Sequence, residues 1–249
     1  MKHNERIVLA EYILKKLKKK HGKKILIAGA YGSVARNKDS EKSDLDMLII
    51  TRNGVGWISD KFLFNGIPVD YWSKSIKDVE NIIKYPNFYD WPWALNTYLN
   101  FKFIVGDKKI QKKLKDCYEN VSLPKCYKAV EEYMPSLYEW NTKIQKSYAK
   151  KDNGNLIFAI WDTMNGILGC VALINKKYFI GNGYDRFRES FKFKLKPKNY
   201  KKLVEIAYIS KNPEKSYHAY MKLFNNFEKL LLSKGIAVKN YRRKEDIIT

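Results

Sequence analysis

Three cysteines in 249 residues, Cys117, Cys126 and Cys170, fit neither a disulfide framework nor a zinc site. No stretch approaches the roughly 20 apolar residues that cross a bilayer. The N-terminus also lacks the signal-peptide pattern, so the expectation is a cytoplasmic protein without a membrane partner. Internal repeats and low-complexity tracts are absent. Acidic residues are scarce: 26 Asp and Glu stand against 48 Lys and Arg, for a formal charge of +22. That imbalance favours anionic partners such as RNA or nucleotides. It fits equally a chain whose richness in Lys, Asn, Ile and Tyr follows genome base composition, with lysines coating a solvated surface. At 45% hydrophobic, the chain has material for the core of one large or two smaller domains.

What is present concentrates between Gly29 and Ile50. The apolar run from Lys24 to Tyr31 predicts a buried strand, and Gly32-Ser33 lets the backbone turn sharply after it. Ser33 can cap a following helix, whose N-terminal N–H groups face an anion, and Arg36 adds a positive fork about one turn on. A second apolar run, Leu45 to Thr51, predicts another strand. Alternation along it sets Asp44 and Asp46 on one face and Leu45 and Met47 on the other. Two carboxylates so placed repel unless a cation sits between them, and magnesium favours carboxylate, water and phosphate oxygens.

The flanking chain reads as a frame for this stretch. Asn4 to about Lys20 predicts an amphipathic helix with Ile7, Ala10, Leu14 and Leu17 on one stripe and a basic tail. Asn65-Gly66 between apolar runs predicts a hairpin, and its returning strand places Pro68, Asp70 and Trp72 on one face, with Asp70 a third carboxylate. Ser75 and Asp78 resemble a capping box opening a helix to about Lys84. The aromatic stretch Tyr85 to Trp93, with Pro86 and Pro92, either packs under a domain joint or stacks on a base. Helices are expected over 94–104, 108–120, 125–150, 154–174, 197–210 and from Pro213 to near Gly235. Phe191 to Lys198 alternates apolar and basic residues, as an exposed strand or a phosphate clamp does. The expected fold is α+β, with a mixed-sheet domain over 1–123 and an all-helical up-and-down bundle over 124–249.

Gly32-Ser33, a spacer, and Asp44-Leu45-Asp46 resemble the signature of the nucleotidyltransferase superfamily that includes DNA polymerase beta. The likeness is greatest to its kanamycin nucleotidyltransferase branch, which aligns without gaps through Tyr31-Gly32-Ser33, Arg36, Ser43 and the Asp44/Asp46 pair. The resemblance implies two magnesium ions on Asp44, Asp46 and Asp70, the last at the family's interval from Asp46. It implies an NTP held by Gly32, Ser33, Arg36, Ser43 and Lys143, with Glu139 as general base in a homodimer. From the residues alone, Glu139 and Lys143 read as a surface i,i+4 ion pair. A second alignment through Val130-Glu131-Glu132 would move the base position onto Pro135; in the register that keeps Glu139 and Lys143, Glu131 and Glu132 are acceptor-side candidates.

The implied reaction carries a nucleoside monophosphate from an NTP to an acceptor hydroxyl and releases pyrophosphate. A small acceptor of aminoglycoside kind follows from the branch; Lys61, near positions that are acidic there, and the charge of +22 speak for a tRNA or other RNA end instead. A non-catalytic nucleotide- or RNA-binding regulator is the reading from another class.

Overall fold

In the computed structural model, which describes residues 1–237, the chain forms two compact units. One comprises Met1–Pro86 and Trp93–Val121; the other comprises Asn87–Pro92 and the chain from Ser122 onward.

The first unit is a five-stranded mixed sheet with flanking helices. It opens with α1 (His3–His21), then β1 (Ile25–Ala30), the single turn α2 (Gly32–Ala35) and β2 (Leu45–Thr51). β3 (Ser59–Phe64) and β4 (Ile67–Ser75) form the expected hairpin. Asn65 and Gly66 both take positive φ, 49° and 75°, the pair of angles a two-residue primed turn needs to match strand twist. Helix α3 (Ile76–Lys84) follows, with the Ser75 hydroxyl accepting the Asp78 N–H at 3.2 Å as an N-cap. α4 (Trp91–Leu99), β5 (Lys102–Gly106) and α5 (Lys109–Glu119) complete the unit, although the first residues of α4 group with the second unit.

Strand order is β3-β4-β2-β1-β5, with β2 and β4 parallel and every other pairing antiparallel. Ala10 and Leu14 of α1 pack with Ile25, Ala28, Leu45, Met47, Ile49 and Val69 to form the core of this unit. β5 departs from the expected helix over 94–104. Helix α4 stops at Leu99, and the aromatic and β-branched run after it pairs with the edge of β1 from Ile27 to Ala30. A free sheet edge outweighs a weak helical pattern there.

The second unit is all-helical: α6 (Leu123–Ala149), α7 (Asn153–Ile174), α8 (Asp185–Ser190), α9 (Tyr200–Ile209) and α10 (Pro213–Leu232). α7 corrects the sequence reading on one point. It is long and apolar enough, by length and composition, to cross a membrane, yet 72% of its apolar window is buried inside the protein. It is the packing centre of this unit, with α6 and α10 against it. Phe191–Lys198 forms turns and not a strand. Phe193 stacks on Phe179, and Asn175 exchanges two hydrogen bonds with the Leu195 backbone, at 2.8 and 2.7 Å. Of the aromatic stretch, Phe88 lies flat on Tyr133 with centroids 3.4 Å apart and Tyr89 meets the same ring edge-on. These rings serve packing within the helical unit.

Candidate active site

The carboxylates converge because of strand register. β2 and β4 run parallel with Asp46 beside Asp70, so the two side chains stand on the same face of adjacent strands. Asp44 lies directly before β2, two positions from Asp46, and shares that face, while Leu45 and Met47 are fully buried on the other. Asp46 is half-buried. That burial, followed by the charges of Asp44 and Asp70, pushes its carboxyl up to about 6; Lys61, set opposite Asp70 on β3, pulls it back. The three acids therefore share one electrostatic field. Among the described residues, however, no three or more His, Cys, Asp or Glu side chains close into a metal-binding cluster.

The Gly-Ser turn comes up against the same carboxylate. The Tyr31 N–H donates to the Asp46 carbonyl at 2.9 Å, which ties the start of the turn to β2. Gly32 has φ +70°, and a Cβ there would stand 3.3 Å from Asp46 Oδ2. Glycine thus leaves open backbone beside a carboxylate, as close approach of a phosphate requires.

Two expectations change here. Tyr31, not Ser33, is the cap residue of α2, and it makes no side-chain cap bond; Ser33 lies inside that turn, and its carbonyl accepts the Arg36 and Lys38 N–H groups. Arg36 closes a helix of only four residues, so the dipole expected at its start is small. Ser43 lies at the foot of β2 with its hydroxyl accepting the Ser40 N–H at 2.9 Å.

The loop that joins the turn to the Asp pair is held by a residue the sequence did not flag. Arg6 of α1 is fully buried, in line with Ala10 and Leu14. Its guanidinium donates to the carbonyls of Met1, Glu41 and Ser43, the last from both Nε at 3.1 Å and Nη2 at 2.7 Å, and to Asp39 Oδ2 at 3.1 Å. His3 Nδ1 meets the other Asp39 oxygen at 2.6 Å. The signal available in the sequence was an arginine on the apolar stripe, one helical repeat before Ala10.

In the helical unit, Glu139 and Lys143 form the expected pair on α6, 2.8 Å apart and both exposed. The Lys143 hydrogen bond and charge hold the Glu139 carboxyl below its ordinary range, and Lys143 also covers the Trp140 ring at 4.2 Å. Glu132 faces Lys128 at 3.9 Å, and Glu131 is half-buried. Pro135, the alternative base position, lies inside α6 and has no group that takes a proton.

Two family models cover the chain in succession. Residues 10–119 match the nucleotidyltransferase domain, and residues 108–237 match the KNTase C-terminal domain. The chain belongs to the nucleotidyltransferase superfamily. A solved nucleotidyltransferase-like protein from Exiguobacterium sibiricum 255-15 shares the fold at 13% identity, with a TM-score of 0.57 over 90% of this chain and 75% of that one. Among curated proteins none matches significantly. The α+β catalytic-type domain followed by a helical bundle is thus the arrangement of a kanamycin-nucleotidyltransferase-like fold. In a nucleotidyltransferase domain, metal-dependent catalysis is the general expectation; on this sheet face Asp44, Asp46 and Asp70 offer oxygen donors only, with Asp46 perturbed by burial first and by the charges of the other two second.

Proposed function

We propose that this nucleotidyltransferase moves a nucleoside monophosphate from an NTP to an acceptor hydroxyl, releasing pyrophosphate. One observation carries the reading: the open Gly32 backbone abuts the Asp46 carboxylate, which is itself raised to about 6 by burial and by Asp44 and Asp70. A phosphate seat against a field of unbalanced negative charge asks for a phosphate accompanied by cations.

Magnesium, as two ions, would be held by Asp44, Asp46 and Asp70 and would supply charge neutralisation for the triphosphate. The protein's own groups bind and orient. The Gly32-Ser33 backbone, Arg36, Ser43 and Lys143 are proposed to line the phosphates, and Arg6 fixes the loop that presents Asp44. The acceptor oxygen bonds to the α-phosphorus as the bond to the bridging oxygen breaks, and its proton passes to Glu139. Lys143 keeps that carboxylate ionised and so able to accept a proton, while lowering its basicity. In a homodimer, one subunit's Glu139 would serve the other's carboxylates. Most of the rate then comes from positioning and charge compensation.

The acceptor is a small hydroxylated molecule of aminoglycoside kind or an RNA end; Lys61 on the carboxylate face favours the second, because it opposes a polycation at close range. A cytoplasmic, membrane-free setting completes the proposal. Calorimetric titration of magnesium with each NTP tests the binding half: the expected result is NTP binding that requires magnesium and vanishes in Asp46→Asn. Equal binding with and without magnesium, or in the variant, would remove the basis of the reading.

A further inference from the structure

The outer hairpin carries a second group of side chains on the carboxylate face. Register sets Lys61 opposite Asp70 and Ser59 opposite Trp72, and on β4 Asp70 and Trp72 point the same way. Trp57, just before β3, stacks on Trp72 with centroids 6.3 Å apart and planes 15° from parallel. The inner ring is fixed: the Trp72 Nε1–H donates to the Tyr31 hydroxyl at 2.8 Å, and Tyr31 and Tyr98 both meet it edge-on at 6.1 Å. The outer ring is not covered, with Trp57 70% exposed. An indole in offset contact with a fixed ring and largely open to water offers a stacking platform, and its neighbour Lys61 is an exposed cation whose field reaches Asp46.

The order of strands gives the platform a side. Gly32-Ser33 follow β1, Asp46 is on β2, Asp70 on β4 and Lys61 on β3, in that sequence across the sheet. In-line displacement places the acceptor opposite the leaving pyrophosphate. With the phosphate seat at β1 and the carboxylates between, the β3 side is the acceptor side. We propose that Trp57, backed by Trp72, and Lys61 form an acceptor subsite for the terminal nucleotide of a single-stranded RNA. The base stacks on Trp57 and the adjoining phosphate meets Lys61. This rests on the nucleotidyl-transfer reading and names its acceptor. The formal charge of +22 complements a phosphate backbone, and every base offers a π-face to an indole, so recognition here is for a nucleotide and not for a sequence.

The test uses the full chain with magnesium, a short single-stranded RNA ending in a 3′-hydroxyl, and the same RNA made abasic at its last nucleotide. Binding is read by fluorescence anisotropy of end-labelled RNA, which does not depend on the substituted tryptophan, and separately the acceptor KM is measured. The expected result is that Trp57→Ala weakens the intact RNA roughly 5- to 100-fold while the NTP affinity stays within about twofold. Trp57→Phe should recover most of the loss, the abasic RNA should bind the unaltered protein as weakly as the variant binds intact RNA, and Lys61→Glu should weaken both RNAs alike. The subsite is overturned if Trp57→Ala lowers NTP affinity instead, if intact and abasic RNA bind equally, or if the unaltered protein binds no RNA. No RNA binding by the unaltered protein with retained magnesium–NTP binding sinks the subsite alone, whereas absent magnesium–NTP binding sinks the transfer reading.

Discussion

Asp46 carries the largest resolved perturbation of a carboxylate in the site, and its sign gives a direct prediction. Its carboxyl is raised from 3.8 to about 6 in the folded protein. Because the folded value exceeds the unfolded one, the stabilisation from holding the proton is full below about 3.8 and is lost as pH rises through about 6. At pH 8 without divalent ions, therefore, ionised Asp46 works against folding. Asp46→Asn should then be more stable than the unaltered protein by roughly 1 kcal/mol, after discounting for the water that still reaches the group, and the gain should disappear near pH 4. Thermal melts at the two pH values check this. The same substitution should lower turnover by at least about 100-fold, as loss of a preorganised charge does, so stability and activity move in opposite directions. Magnesium binding should weaken as pH falls below about 6, where a proton competes for the carboxylate.

Gly32 is the other residue with a one-atom argument. Alanine there must hold φ at +70° and place Cβ 3.3 Å from Asp46 Oδ2. The expected cost is about 1 kcal/mol of stability from the backbone alone. Turnover should fall further than that, because the added methyl occupies the phosphate seat. Parallel melts and rate measurements separate the two, and an active Gly32→Ala protein would show that the turn does not approach phosphate.

At the scale of elements, α1 does more than cover the sheet. Its Arg6 gathers the loop carbonyls of Glu41 and Ser43, the Met1 carbonyl and Asp39, so one buried side chain sets the path from the Gly-Ser turn to Asp44. Arg6→Ala would strand buried Asp39 and those carbonyls, at a cost of about 3 kcal/mol measured by denaturant unfolding. Arg6→Lys should recover only part, since an ammonium cannot span the same carbonyls in one plane. An alanine variant of undiminished stability would mean that water replaces the clamp.

These elements also show what could be read in advance. β1, β2 and the Asn65-Gly66 hairpin were legible because period, turn residues and apolar runs agreed, and the register of β2 with β4 then brought Asp46 to Asp70. β5 was not, since its pairing depends on a sheet edge far away in sequence. Arg6 escaped because its meaning lies in backbone carbonyls that only the folded loop brings together. Trp72 reads as a strand residue on the face of Asp70, but its stacking on Trp57 depends on side-chain placement that strand alternation does not give.

Taken whole, the molecule joins a nucleotidyltransferase domain to a helical bundle in a strongly basic chain. The charge of +22 makes encounter with any polyanion fast and salt-sensitive, whatever the chemistry that follows. In the bundle, the apolar α7 is largely enclosed, and the exposed Glu139–Lys143 pair on α6 is the one the proposed reaction needs in action and not only in packing.

The most direct measurement is transfer itself. The full chain would be incubated with magnesium and each α-labelled NTP against separate pools of total RNA and of aminoglycosides, with Asp46→Asn beside it. Label fixed to the RNA pool, accompanied by pyrophosphate and lost in the variant, is the predicted result. Label on neither pool, with magnesium–NTP binding intact, would contradict nucleotidyl transfer to these acceptors and leave a binding role in its place.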